Sequence, residues 1–293
     1  MTEAEWLAAT DPEPMLELLR SRGRVRAGQR WVGRLQAGLA PDWTGKWAGD
    51  RKLWMFALAC CRRVDGLLAR ATMPSLYTPG ACVDPREALP LAEKLVEGEM
   101  PPAPWPVNQS FYLATAVSAA DHAMAAACHA AADFFHENRR ARSRRIEPLG
   151  TAFERRRVRG RTLVGVLTSY ETRLAVARAA AGPALPDGGE QWRAAWQNAE
   201  RAEAAAHAVL VRCLFGNPFV AAPTLKRRWL APDGAVFRLA ATIYADRAFD
   251  RLPLIADALE ETGCADTELL GHLRGPGPHV RGCWAVDLVL GKS

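Results

Sequence analysis

The C-terminal quarter of the chain carries the residue types that most often bind a transition metal. Cys264, His272, His279 and Cys283 follow one another with the spacing C-x7-H-x6-H-x3-C. Thiolates and imidazoles are zinc ligands, but only His279 and Cys283 have a workable spacing, and only if their segment is helical. The full pattern matches no recognised zinc module. The sequence therefore predicts no metal or other cofactor, with Cys283 and Trp284 in the core and His279 beside the Gly-Pro turn.

Three further histidines, His122, His129 and His136, lie seven residues apart on one predicted helix. Seven residues advance a helix by about 10 Å, whereas the ligands of one ion each lie about 2 Å from it. Each histidine would need partners from another helix. The pattern therefore predicts a polar stripe on an Ala-rich helix.

Acidic and basic residues are paired in the tail. Asp246-Arg247 and Asp250-Arg251 stand four residues apart, which predicts two acid-base pairs along one helical face. Structural ion pairing is preferred to catalysis, because such networks are common away from active sites. No hydrolase elbow, phosphate loop, dinucleotide fingerprint or HExxH motif occurs, so no catalytic residue is predicted. Any functional cluster is expected among the most charged tail residues: Asp246, Arg247, Asp250, Arg251, Arg274, His279, Arg281 and Asp287.

Positive charge is concentrated in one segment of this chain of net charge +6. Residues 139–161 contain ten arginines and two glutamates, a local charge of +8 that leaves −2 for the rest. A solvated connector is the preferred interpretation, since Arg outnumbers Lys 33 to 5 across the chain and compositional bias alone would produce such a run. Phosphate neutralisation is the alternative, with Arg155, Arg156, Arg157, Arg159 and Arg161 as the nucleic-acid-binding residues.

Helix signals dominate and predict an all-α fold, an antiparallel bundle of long Ala-rich helices with a compact C-terminal cluster of short helices. One long apolar stripe follows Asp50, the predicted cap, and a second covers residues 108–140. A third ends at Gly182-Pro183, and a fourth extends from Trp192 to Cys213. Four prolines between 101 and 106 make a stiff connector. The sequence divides into three regions: a helical region at 1–100 with an irregular insertion at 21–49, the long-helix bundle at 107–214, and the short-helix cluster at 215–293. The three regions can also form a single domain.

Shorter helices are marked by their caps. Thr10 or Asp11 opens a helix over Pro12–Leu19, Asp233 caps another, Pro253 opens one that ends at Gly263, and Asp266 caps one that ends at Gly275. For Val280–Leu290 a helix is preferred to a buried strand.

Cysteine usage and the N-terminus bear on the compartment. The seven cysteines are odd in number and include no CxxC pair, which indicates reduced thiols. No apolar run of about 18 residues and no secretory signal is present. A cytoplasmic protein without a membrane partner is expected.

Several motifs at the two ends carry a family resemblance. They are TEAEWL at 2–7, TDPEPML at 10–16, DRKL at 50–53, CCRR at 60–63, FGNPF at 215–219, AFDRLP at 248–253 and RGPGPHVRGCW at 274–284. They resemble an uncharacterised planctomycete-type bacterial family, whose matching ends flank a variable Ala-rich middle. The resemblance covers about the first 20 residues, 50–68, and 214 onward; it implies no assigned activity. Residues 21–49 and the arginine-rich middle depart from the family pattern.

The preferred hypothesis is a non-enzymatic helical interaction or scaffold protein with a protein partner. Its fixed ends would build the scaffold and its middle would vary a binding surface. It predicts an N-terminal helix docked on the C-terminal quarter, and no buried cluster of acid, His and Cys. The alternatives are a nucleic-acid-associated protein using residues 139–161, and a metal-dependent enzyme centred on His272, His279, Cys283 and Asp287.

Overall fold

The computed structural model describes residues 1–23, 48–65, 90, 93, 96–97, 163–181, 189–221, 223, 225–226 and 229–292. These ranges contain helices and no strand, which confirms the all-α prediction. The antiparallel bundle stays a prediction, because the helix expected at 108–140 lies outside the described residues. So do its three histidines, the arginine segment 139–161, the proline connector and most of the insertion. No described helix is long and apolar enough to cross a membrane.

Nine α-helices are described, and we number them in chain order. They are α1 (Glu3–Ala8), α2 (Pro12–Ser21), α3 (Ala48–Arg63), α4 (Leu163–Ala181), α5 (Glu190–Phe215), α6 (Ala235–Asp246), α7 (Leu252–Glu261), α8 (Thr267–Arg274) and α9 (Trp284–Leu290). A 3₁₀ turn at Phe249–Arg251 precedes α7. The chain divides into two compact units. Unit 1 consists of residues 1–9 and 208–293, and unit 2 of residues 10–207.

The two N-terminal helices begin at well-formed caps. The Thr2 hydroxyl accepts a hydrogen bond from the Glu5 N–H, and the Glu5 carboxylate accepts one from the Thr2 N–H, at 3.3 and 2.7 Å. This capping box starts α1, which the sequence analysis did not predict. Asp11 accepts the Glu13 N–H at 3.1 Å and starts α2 with Pro12 in its first turn, so that prediction is confirmed.

Unit 2 is built around α3, in which residues 51–61 are all buried. The predicted core stripe is confirmed, since Phe56, Ala57 and Cys60 are fully buried. The predicted cap at Asp50 is wrong, because α3 already begins at Ala48. Asp50 therefore lies in the first turn of α3.

A buried polar network links α3, α4 and α5. Arg63 donates to both carboxylate oxygens of Glu203 from Nε at 2.6 Å and Nη2 at 2.9 Å. His207 Nε2 lies 3.1 Å from Glu203 Oε1, and His207 Nδ1 lies 2.8 Å from the Ser169 hydroxyl. His207 and Ser169 are buried. These paired groups fix the three helices relative to one another, because each polar group would be costly to bury without its partner. Other ion pairs of unit 2 include Arg51–Glu97, Arg62–Glu93 and Arg173–Glu200.

Burial and pairing shift two pKa values in this network. Burial raises the pKa of Glu203, but hydrogen bonds from His207 and Arg63 outweigh it and bring the pKa down to about 2. Burial lowers the pKa of His207 below its ordinary value, against the opposing pull of Glu203. Glu203 is therefore ionised and His207 neutral near pH 7.

Unit 1 packs its short helices around an apolar core. The core side chains include Ile243, Leu252, Ile255, Leu259, Leu269, Leu273 and Val286. Asp266 accepts the Leu269 N–H at 2.8 Å and caps α8, Pro253 lies in the first turn of α7, and Trp284–Leu290 is helical. These predictions are confirmed. The cap at Asp233 is wrong: the Gly234 N–H bonds the Ala231 carbonyl, so the preceding turn extends to Gly234 and α6 begins at Ala235.

Replacing Glu203 by Gln should lower the free energy of unfolding of unit 2 by about 2–3 kcal/mol, because Arg63 would lose its charged partner. The Arg63 side chain keeps 34 % exposure, which holds the loss below that of a fully buried pair. Urea denaturation measures it. Glu17→Gln, which breaks the exposed pair with Arg20 on α2, is the control and should change stability by about 0–0.5 kcal/mol. Equal losses in the two variants would contradict the network's role.

Acid should weaken unit 2 in two stages. Because His207 has a lowered pKa, the unfolded state takes up a proton first below pH 6.5, and stability falls. Because Glu203 has its pKa lowered from 4.5 to about 2, its contribution is complete above pH 4.5 and disappears as the pH falls toward 2. Unfolding free energies measured between pH 7 and pH 3 should show both stages in the wild type. Glu203→Gln should lack the lower one, and parallel curves would refute the assignment.

Candidate metal centre

Four side chains of unit 1 converge on one point. Their ligand atoms, the sulfurs of Cys213 and Cys283 and one ring nitrogen each from His272 and His279, all lie within 4.8 Å of one another. Cys213 is in the last turn of α5 and His272 in the last turn of α8, while His279 is in the following loop and Cys283 precedes α9. Both cysteines are buried and both histidines half-buried.

The separations fit a tetrahedral ion. His272 Nε2 lies 3.2 Å from Cys283 Sγ, and His279 Nδ1 lies 3.8 Å from Cys213 Sγ. In a tetrahedral site with zinc–sulfur bonds of about 2.3 Å and zinc–nitrogen bonds of about 2.0–2.1 Å, a sulfur and a nitrogen ligand stand about 3.5 Å apart. The two observed pairs lie on either side of that value. An ion therefore needs only small side-chain shifts to be accommodated.

The orientation of His279 suits a metal ligand. Its Nε2 lies 3.2 Å from the Gly275 carbonyl oxygen, so Nε2 carries the proton and Nδ1 presents its lone pair toward Cys213. A backbone carbonyl that fixes the tautomer in this way is the usual partner of a ligating imidazole. The His272 ring packs edge-on against the His279 ring at 4.9 Å and tilted against the Trp284 ring at 5.2 Å. Both imidazoles are thereby held in place.

The cluster favours the thiolate form of Cys283. Burial raises the pKa of this thiol, but the neighbouring Cys213, His272 and His279, the last in its protonated form, outweigh it and hold the pKa well below its ordinary value. Burial lowers the pKa of His279, while its hydrogen bond with Cys283 raises it, and the net shift is upward. A thiolate is the form that binds a metal.

Glycines let the loops reach the cluster. Gly277 has φ +77°, and a Cβ there would stand 2.9 Å from the backbone nitrogen of His279. Gly216, three residues after Cys213, has φ +65°, and a Cβ there would stand 3.3 Å from the Trp284 ring. These positions need glycine both for the left-handed backbone and for the close approach. The glycines of the tail thus position ligands as well as ending helices.

The structure changes the ligand set considered from sequence. Cys264 is not in the described cluster and packs in the apolar core of unit 1. Cys213 takes its place, although it lies 59 residues before His272 on another helix. Asp287 is buried, and its N–H donates to the Cys283 carbonyl at 2.9 Å, but it is not in the cluster either. Sequence reasoning missed Cys213 because spacing describes only nearby ligands; its position two residues before the FGNPF motif was the available signal.

The charged residues of the tail do not form one site. Asp246 ends α6, and Arg247 follows in a left-handed conformation with φ 56°, so the two predicted acid-base pairs do not share one helical face. Asp246 and Arg247 are exposed, as are Asp250 and Arg251.

Three other members of the predicted functional cluster have separate surroundings. Arg274 donates to Asp257 at 2.7 Å and also pairs with Glu260 on the surface. The Arg281 guanidinium lies 5.3 Å from the centre of the Tyr244 ring. His279 alone of the eight residues belongs to the metal-ligand cluster.

The N-terminal helix belongs to the same unit as the C-terminal quarter. Arg212 Nη1 donates to the carbonyl oxygens of Trp6 and Ala9, each at 3.0 Å, and the Asn217 amide donates to Glu3 at 2.6 Å. Helix α1 is therefore docked on the C-terminal quarter, whereas the N-terminal helix predicted from sequence, over Pro12–Leu19, lies in unit 2. The companion prediction, that no cluster of acid, His and Cys converges, is contradicted by Cys213, His272, His279 and Cys283, of which the cysteines are buried and the histidines half-buried.

Replacing Gly216 by Ala should destabilise unit 1 more than the same change at Gly291. Both residues are left-handed, with φ +65° and +64°, but a Cβ at Gly291 would meet nothing within 4 Å. Gly291→Ala should cost about 1 kcal/mol for backbone strain alone. Gly216→Ala should cost about 1 kcal/mol more, because the methyl group would press on Trp284. Thermal unfolding compares the variants, and equal losses would show that the ring contact is unimportant.

Comparison with known proteins adds no relative to this description. A scan against protein-family models gave no match, and neither curated proteins nor solved structures gave one. The resemblance to a planctomycete-type family therefore stays a prediction.

Proposed function

We propose that this protein is a zinc-binding helical scaffold protein, in which one Zn²⁺ held by Cys213, His272, His279 and Cys283 organises unit 1. The observation that carries the proposal is the convergence of four ligand atoms within 4.8 Å of one another. Random packing seldom brings two thiols and two imidazoles to one point. Small domains whose folding depends on a bound metal use ligand sets of this kind.

The ligand set favours zinc over other common ions. Two sulfur and two nitrogen ligands in tetrahedral array are typical of zinc, whereas calcium and magnesium prefer oxygen ligands. The Gly275 carbonyl supplies the outer partner of one histidine, as expected for a site that holds its metal tightly.

A structural role fits the site better than catalysis. Catalytic zinc sites use three protein ligands and keep the fourth position for water or substrate, whereas structural sites are closed by four. Here four protein ligands fill the tetrahedron. The metal-dependent enzyme considered from sequence would need an open position, and it also included Asp287, which is not in the cluster.

The scaffold part of the proposal keeps the earlier hypothesis without its metal-free condition. A protein partner remains the proposed target. The basis is the sequence, in which motif-bearing ends enclose an Ala-rich middle. We also propose a cytoplasmic location, because Cys60, Cys61 and Cys264 are unbridged thiols, which a reducing compartment preserves. Nucleic-acid binding through residues 139–161 receives no support from the described residues.

The full-length protein, purified under reducing conditions with zinc supplied, should contain about one zinc per chain by elemental analysis. Cys213→Ser should lose most of it, because the tetrahedron would lack one thiolate. Cys264→Ser is the matched control, since Cys264 is buried in the same unit but outside the cluster, and it should keep its zinc.

Cobalt provides a second measurement that does not depend on how the zinc was acquired. Co²⁺ added to the metal-free protein should give the intense visible absorption of a tetrahedral site and the near-ultraviolet bands of thiolate coordination. His279→Ala should weaken both sets of bands. Absence of bound zinc together with absence of these bands in the wild type would refute the proposed function.

A further inference from the structure

One short segment carries both a metal ligand and the anchors of the N-terminal helix. Cys213 contributes its sulfur to the cluster. The adjacent Arg212 donates to the carbonyl oxygens of Trp6 and Ala9, both at 3.0 Å, and Asn217 donates to Glu3 at 2.6 Å. Whatever fixes residues 212–217 therefore fixes the groups that hold both ends of α1.

Two further contacts join this segment to the other ligands. On α8, burial raises the pKa of Glu268 and the nearby backbone N–H of Asn217 partly offsets that rise, so the two residues are neighbours; His272 follows one helical turn later. Gly216 packs on the Trp284 ring, which in turn packs on His272 at 5.2 Å. The α1 anchors and the metal ligands thus belong to one connected set of contacts within unit 1.

The helix α1 cannot be stable on its own. It has six residues, whereas isolated helices shorter than about 12–15 residues are marginal in water. The last carbonyl groups of such a helix need partners, and Arg212 supplies one of them by bonding Trp6. The fully buried Trp6 side chain is the largest apolar group that α1 contributes. Helical structure in residues 3–8 therefore reports docking.

We propose that metal binding at this cluster controls the docking of α1, so that the metal-loaded protein holds the helix on unit 1 and the metal-free protein releases it. The inference rests on the proposed metal site. Without the ion, the cluster loses the centre that its four ligands share, and residues 212–217 lose one of their attachments. Release would uncover Trp6 and the carbonyl-binding face of Arg212. Metal occupancy would then be converted into exposure of an apolar surface.

Hydrogen exchange on the full chain tests this inference, with zinc present and with zinc removed by a chelator. The probes are the α1 amides, among them Glu5, bonded to the Thr2 hydroxyl, and Trp6, bonded to the Thr2 carbonyl. Removal of zinc should reduce their protection by about tenfold or more, a typical size for coupling between two sites. The amides of α2, in unit 2, should keep their protection. Elemental analysis of the same samples establishes the metal content.

The outcomes separate this inference from the proposed function. If no metal binds, the proposed function fails and the inference fails with it. If metal binds but α1 protection is unchanged by the chelator, the inference alone is overturned. If α1 and α2 lose protection together, the chain unfolds as a whole, and selective release is also overturned.

Variants of the anchors test the coupling from the other side. Because linkage is reciprocal, weakening α1 docking must weaken metal binding by the same factor. Arg212→Ala should lower zinc affinity about fivefold or more, although Arg212 is not a ligand; Asn217→Ala provides a second anchor variant. The control is Arg238→Ala, an exposed residue of α6 in the same unit. Unchanged zinc affinity in both folded anchor variants would overturn the inference.

Discussion

The closure of the chain's tail onto the end of α5 is the constraint on which unit 1 depends. Cys213 meets His272, His279 and Cys283, which arrive from one helix end, one loop and one helix start more than 55 residues later. That meeting determines where the Gly-Pro loop runs and where α9 begins. It also places Gly216 against Trp284. The short helices of unit 1 gain from a common point of attachment, because each has only a few turns with which to pack.

The two units solve the same physical problem with different chemistry. A buried polar group is costly unless another group compensates it. Unit 2 uses complementary charges, with Glu203 between Arg63 and His207. Unit 1 gathers two thiols and two imidazoles. The first arrangement is complete within the protein, whereas the second would be completed by the proposed Zn²⁺.

Sequence patterns predicted the helices well, because periodicity and caps are local. The core stripe of α3, the cap at Asp266 and the proline in the first turn of α7 all follow from residues within one or two turns. Errors at Asp50 and Asp233 are displacements of three residues and one residue, and they arise because several adjacent residues can start a helix.

The cluster could not be predicted in the same way. Three of its four ligands were considered together with Cys264, which shares their stretch of sequence but packs into the apolar core. The correct partner, Cys213, comes from a helix whose own pattern explains it as an ordinary core residue. Its role becomes visible only when the fold brings α5 and the tail together. The same limit applies to the charged residues after α6, where a left-handed Arg247 breaks the helical spacing that the sequence indicated.

Unit 1 draws its residues from both ends of the chain, and this has a consequence for biosynthesis. Residues 1–9 emerge from the ribosome about 200 residues before their partners at 208–292. At about 5–20 residues per second, that interval lasts ten seconds or more. During it Trp6 has no native neighbours in the C-terminal quarter and is open to chaperones or to misplaced contacts. Helix α1 is thus made long before the residues that hold it in place.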